Sequence, residues 1–486
     1  MLFNSASFIF LYLPIVLLGT FVLARFRPQW AIGWLALASF AFYAVWDWRF
    51  LPLLLASILA NYVAGLRILA ARERSALPAA KAWLVAGIAG NLVLLGVFKY
   101  AGFFAATGAT LFGAPKPDLG IVLPLGISFF TFTQIAFLVD AFRGAVHSRR
   151  ADSYALFVSY FPHLIAGPIL HHADMIPQFE RKEAFRFDWE NIAVGITIFA
   201  IGLFKKVVLA DSMAPLANPI FDAASGGAGV SSESAWLAAL AYTLQLYFDF
   251  SGYSDMAIGA SRMIGIQLPL NFNSPYKAAS AIDFWRRWHM TLSQFLRDYL
   301  YFPLGGNRRG PARRYINLML VMLLGGLWHG AGWTFVIWGG LHGLYLVVNH
   351  LWRHVVGADR MPRILAWAIT FLAVLFAWVM FRAADLDSAL LLWAAMLGHG
   401  AANDAAITLK SWAGVVLLLG IAWFWPNTQE VMARFRPALD SHAVQPARWT
   451  WRPSLIAAIA VTAIAAPALY FILFTDRVSD FLYFQF

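Results

Sequence analysis

Apolar residues fall in long runs separated by short polar connections, and the length of each run sets what it can do. About 17–25 apolar residues in a helix suffice to cross a bilayer. Residues 8–24, 30–46, 50–66, 83–105, 121–141, 192–210, 236–264, 364–381, 412–425 and 455–474 are candidates. The first run has no basic leader and no small-residue cleavage site, so it reads as a span and not as a removed signal. Two regions break the pattern. Residues 155–170 are interrupted by Pro162, His163, Gly167 and Pro168, then followed by His171 and His172. They predict a re-entrant segment, tolerated at membrane depth only where protein or water covers it. Around His329, Gly325-Gly326-Leu327-Trp328-His329-Gly330-Ala331-Gly332-Trp333 separates the apolar stretches 316–327 and 334–348, which predicts a broken helix or helical hairpin. Residues 265–314 are amphipathic and rich in Trp, Arg and Tyr, and are expected at the cytoplasmic interface. The expected fold is all-α and polytopic, with about 10–12 transmembrane helices plus re-entrant and interfacial ones. No repeat, linker or composition shift divides it. We expect one domain over 1–486: N-terminal spans 1–153, a core 154–350, and C-terminal spans with an aromatic tail 351–486.

Composition agrees: 61% of the 486 residues are hydrophobic, 16% aromatic and 13% charged, against about 25% charged in soluble chains. Mean hydropathy is +0.66. The net charge of +11 would suit nucleic acid, but the basic residues form short clusters between apolar runs, as cytoplasmic loops do. Nucleic acid is therefore set aside, and membrane lipid is the expected surround. Arg25/Arg27, Arg67/Arg72/Arg74/Lys81 and Arg143/Arg149/Arg150 alternate with nearly uncharged loops such as 107–120. The positive-inside bias then puts the N-terminus outside, and the alternation carried forward puts the C-terminal tail outside as well. The absence of Cys excludes disulfides, thiolate metal sites and a thioester on the chain itself.

Three stretches carry candidate chemistry. An imidazole at membrane depth marks a functional site by default, though His329 could also be a packing histidine bonded to a carbonyl. Burial favours neutral imidazole, which can take a proton from a hydroxyl attacking an acyl donor. The second stretch is Asp283-Phe284-Trp285-Arg286-Arg287-Trp288-His289. Asp283 and Arg287 form an (i, i+4) pair. Arg286 and Arg287 either snorkel from an interfacial helix or receive a phosphate-bearing donor, and His289 could assist His329. The third is Tyr247-Phe248-Asp249-Phe250-Ser251-Gly252-Tyr253-Ser254-Asp255. Asp249 suits a polar network with Lys205 or Lys206; Ser251, Tyr253 and Asp255, like Trp328, suit the lining of a reaction chamber. His171/His172 and His342/His350/His354 lack the accompanying carboxylates of a metal set, so no metal is expected. No P-loop or dinucleotide fingerprint is present.

Together these stretches, with Leu123-Pro124-Leu125-Gly126-Ile127-Ser128-Phe129-Phe130-Thr131-Phe132, Phe161-Pro162-His163-Leu164-Ile165-Ala166-Gly167-Pro168-Ile169 and Arg297-Asp298-Tyr299-Leu300-Tyr301-Phe302-Pro303-Leu304-Gly305-Gly306-Asn307, resemble the membrane-bound O-acyltransferase family. They look most like its bacterial branch that acetylates alginate and related exopolysaccharides. The resemblance implies funnels meeting at a buried catalytic His, which maps to His329, with a second position at His289. It also implies an acetyl-CoA or acyl-carrier thioester as donor, no bound cofactor, a polysaccharide acceptor and a periplasmic acetyltransferase partner. D-alanyl or peptidoglycan acyl transfer is the alternative within the family. A lipid or polysaccharide transporter with a polar conduction path is the alternative outside it. The tail Phe481-Leu482-Tyr483-Phe484-Gln485-Phe486 is either an interfacial anchor or, by its resemblance to a small peptide of the D-alanylation machinery, an acyl relay through Tyr483.

Overall fold

The computed structural model describes residues 1–357, 360–401, 408–439, 444–475 and 479–482. Among these the chain is helical, with no strand. Among the described residues, six helical runs are long and apolar enough to cross a membrane: Phe8–Phe26, Pro28–Glu73, Leu77–Leu111, Trp189–Ala210, Arg363–Arg382 and Leu455–Phe474. The bent pair Leu409–Phe424 and Thr428–Phe435 makes a seventh if it is one span. The figure lies below the ten to twelve expected for a simple reason. Pro28–Glu73 holds two helices, Pro28–Asp47 and Leu51–Glu73, joined by the 3-10 turn Trp48–Phe50, and each is about 30 Å or more in length. In addition, Ser232–Met263, Pro311–His329 and Trp333–Val355 are as long as a span but carry polar and glycine-rich stretches. The protein is a multi-pass membrane protein.

The chain forms two compact units. One comprises Met1–Phe199, Asp255–Pro269 and Phe435–Asp440. Its first four long helices each carry a proline in the first turn, Pro14, Pro28, Pro52 and Pro78, where the missing N–H has no helical partner to lose. The stretch expected to be re-entrant is broken into Ala151–Ser159 and Phe161–Leu164, and residues 156–170 are all buried. Its freed polar groups are met by protein: the Phe161 amide donates to Ser39 Oγ at 3.1 Å, and Tyr160 Oη lies 2.9 Å from Ser261 Oγ.

The other unit comprises Ala200–Ser254, Leu270–Arg434 and Ser441–Phe486. The break at Gly330–Gly332 makes a hairpin of Pro311–His329 and Trp333–Val355. The stretch expected at the interface divides differently: Phe284, Trp285, Trp288, His289 and Leu292 are buried, whereas Phe302 and Arg308 are exposed. Aromatic side chains take the first group inward to join the ring-rich core. The last long helix, Leu455–Phe474, buries only Ala468 and packs against the π-helical segment Lys205–Ala210.

Candidate active site

The hairpin brings His329 to its place through close backbone approach. A Cβ on Gly326 would stand 2.2 Å from the Phe335 carbonyl oxygen, and one on Gly339 would stand 2.3 Å from that of Met322. Only glycine at both positions lets the two helices touch there. His329 ends the first helix and is 4% exposed. Its ring lies 4.9 Å from Trp328, 5.0 Å from Trp338 and 5.5 Å from Phe381, each nearly edge-on. These rings make an apolar box in which little water competes for the imidazole.

His289 enters the same box from a different segment. Its ring centroid lies 6.2 Å from that of His329, 6.1 Å from Trp328 and 4.9 Å from Phe250. Asn271 Oδ1 lies 3.1 Å from His289 Nδ1 and also accepts from Thr291 Oγ1 at 2.9 Å. A carbonyl oxygen only accepts, so Nδ1 carries the proton and Nε2 keeps its lone pair. Burial pushes the His289 imidazole down to about 3, so the ring is neutral at physiological pH. Its backbone is left-handed, at φ 43° and ψ 54°, a conformation a bulky non-glycine residue adopts at a cost of about 1–3 kcal/mol.

A third histidine stands behind this pair. Trp285 Nε1–H donates to His342 Nδ1 at 3.2 Å, and the His342 ring is 4.7 Å from Trp338. His342 also lines a cavity of about 560 Å³ with Ser280, Asp283, Tyr345 and Asn349. One aromatic side chain, Trp338, therefore separates this cavity's wall from His329.

A family model for membrane-bound O-acyltransferases matches residues 143–386, the stretch that holds both histidines and the hairpin. The chain belongs to the membrane-bound O-acyltransferase family. It is 46% identical over 427 residues to a peptidoglycan O-acetyltransferase of Helicobacter pylori, covering 82% of this chain and 80% of the relative. It is 41% identical to a probable alginate O-acetylase of Azotobacter vinelandii over the whole of both chains. A teichoic acid D-alanyltransferase of Streptococcus thermophilus is 28% identical over 49% of this chain and 60% of its own length. The protein is thus an O-acyltransferase, and the enzyme reading stands over the transporter.

The rings of His329, His289 and Trp328, all named from the sequence, lie beside one another. Arg286 is exposed, and Arg287 is held by Asp283 at 2.8 Å and by the Asn273 carbonyl at 3.3 Å. Ser251 and Tyr253 are buried on Ser232–Met263, with the Tyr253 ring 4.7 Å from Phe481. Asp255, one turn further on, is buried within the other unit. Asp249 pairs with Lys206 at 2.8 Å, while Lys205 bonds Thr428 Oγ1 at 2.8 Å. Tyr483 lies outside the described residues. Among the described residues no three His, Asp or Glu side chains are grouped to hold a metal ion. Sequence reasoning did not find Trp338 and Phe381 as walls of the box, nor Asn271 as the residue that orients His289. Asn271 precedes His289 by 18 positions, a separation with no helical or strand period to mark it.

Proposed function

We propose that this acyltransferase takes an acetyl group from a cytoplasmic thioester and delivers it to the outer side of the bacterial inner membrane, for O-acetylation of a polysaccharide such as alginate. The observation that carries this reading is the pair of buried imidazoles 6.2 Å apart in one apolar box. His329 takes the proton of the acceptor hydroxyl as its oxygen bonds the thioester carbonyl carbon. The tetrahedral intermediate then collapses with C–S cleavage, and the imidazolium returns its proton to the leaving thiolate. His289, held in one tautomer by Asn271, offers Nε2 to orient the hydroxyl or pass the proton on. Trp328, Ser251 and Tyr253 line the chamber. The donor, acetyl-CoA or an acyl-carrier thioester, approaches through the cavity beside His342, with Arg286 meeting its phosphate.

Tyr483 is the proposed first acceptor, its phenol becoming an acetyl ester before a periplasmic acetyltransferase partner completes transfer to the sugar. Both termini then lie outside, and 1–486 acts as one functional domain. The test is reconstitution in liposomes with radiolabelled acetyl-CoA and the periplasmic partner inside. Label on an internal acceptor that vanishes with His329→Ala supports the reading; label unaffected by that substitution sinks it. Tyr483→Phe with full activity, and no acetyl on Tyr483 by mass spectrometry, would remove the relay alone.

A second acceptor has a specific observation in its favour. The Helicobacter relative is a peptidoglycan O-acetyltransferase and is 46% identical, so peptidoglycan is the competing acceptor class. Acetyl content of isolated peptidoglycan and of secreted polymer, with and without His329, separates the two.

A further inference from the structure

A second buried polar cluster lies in the same unit, apart from the histidine pair. Lys206 belongs to the π-helical segment Lys205–Ala210 that ends the membrane helix Trp189–Ala210. Its ammonium is buried and stands 2.8 Å from Asp249 Oδ1 and 2.8 Å from Asp211 Oδ1. An ammonium at that depth is costly unless paired, and here both partners are carboxylates.

The cluster's further bonds reach the far end of the chain. Lys206 donates to Ser479 Oγ at 2.8 Å and to the Asp480 carbonyl at 3.0 Å. Ser479 Oγ donates to Asp211 Oδ1 at 2.7 Å, and the Leu482 amide donates to Asp249 Oδ2 at 3.1 Å. The Lys206 ammonium lies 5.1 Å from the centre of the Phe481 ring. Residues 479–482 follow a helix that buries only Ala468, so the helix itself gives them little purchase. Their apolar members are nonetheless deep. Leu482 belongs to the core that includes Phe250, Trp338 and Phe381, the rings that touch His289 and His329.

We propose that Lys206, Asp249 and Asp211 form a latch that docks the C-terminal segment 479–482 in the histidine-bearing unit, and that this docking positions the segment for acyl transfer. Lys206 and Asp249 are thus positioning residues. The transfer half of the proposal rests on the function proposed above, and the docking half does not.

The chain has no cysteine, so Leu482→Cys supplies a single thiol that reports docking. In the purified full-length protein, maleimide labels this thiol slowly while the latch holds. Lys206→Met should speed labelling at least tenfold. Because that variant leaves two buried carboxylates without their cation and can misfold, Lys206→Met/Asp249→Leu is made beside it. The double variant replaces the Lys206–Asp249 pair with apolar side chains and leaves one carboxylate, Asp211, without the cation in place of two. It should keep its helicity and its size-exclusion profile, label at least tenfold faster, and, without the reporter cysteine, transfer acetyl at least tenfold more slowly. Deletion from Ser479 onward should lower transfer as far, and adding the latch substitutions to that deletion should lower it no further. A folded double variant whose reporter thiol labels at the parent rate overturns the docking. Fast labelling with undiminished transfer overturns the positioning. A parent that transfers nothing, yet shows the labelling change, refutes the proposed function and leaves the docking standing.

Discussion

At His289 two demands meet in one residue. The side chain must lie in the box beside His329, and the backbone reaches that point in a left-handed conformation that glycine would adopt without strain. Asn271 then fixes which nitrogen holds the proton. Asn271→Leu should leave the protein folded and donor KM near its parent value while kcat for transfer falls at least tenfold, as steady-state kinetics would show. The depressed imidazole also sets a direction for stability with pH. Folded His289 stays neutral down to about 3, whereas in the unfolded chain it takes a proton near its reference value of about 6.5. Between those values the unfolded state binds more protons, so stability falls as pH falls below about 6.5, by at most about 1.4 kcal/mol per pH unit. Thermal unfolding between pH 7 and pH 5 should show this slope, and His289→Gln should flatten it. Of this site the sequence marked His329 as a candidate, because glycines and tryptophans flank a histidine in an apolar run. Asn271 and the left-handed turn were not legible. Both depend on where two segments of irregular backbone meet, and no residue period encodes that.

The hairpin is the element that converts glycine spacing into geometry. Its break was readable from Gly330 and Gly332, whereas the contact of Gly326 with Gly339 was not. The wall residue Trp338 was not, since its approach to His329 depends on how the helices cross after the turn. A methyl group at Gly339 has nowhere to go but into the Met322 carbonyl. Gly339→Ala should therefore destabilise by about 1–3 kcal/mol, the usual range for overpacking, and should cost activity by moving Trp338 and His329 apart. A lowered thermal midpoint with reduced transfer would bear this out; an unchanged midpoint would show that the helices are not held there. Part of the segment 265–314 is enclosed by protein, which the sequence did not mark for a related reason. Its amphipathic pattern shows one face apolar, but not whether protein or lipid covers that face, and here buried Phe284, Trp285 and Trp288 answer protein.

For the molecule as a whole, class and membrane character followed from run length and composition, while apolar length alone under-counts the span-length helices. Buried polar residues lower the hydropathy of the very helices that carry them, as Ser232–Met263 shows with Asp249, Ser251 and Ser254. The cavity beside His342 gives a further prediction. Thr370→Trp places a large ring in that 560 Å³ space and should raise donor KM at least tenfold while leaving the acceptor's KM unchanged.

The last helix has a consequence for how the gene can be divided. A helix that buries one residue and ends in a segment held by its own bonds is nearly a ligand of the remaining chain. Such a piece need not be covalently joined to work. Residues 1–452 and 453–486, produced as two polypeptides in one cell, should assemble in the membrane, co-purify and restore acetyl transfer. The peptide bond between them would then be a means of guaranteeing one-to-one delivery, dispensable wherever a cell supplies the shorter piece in excess.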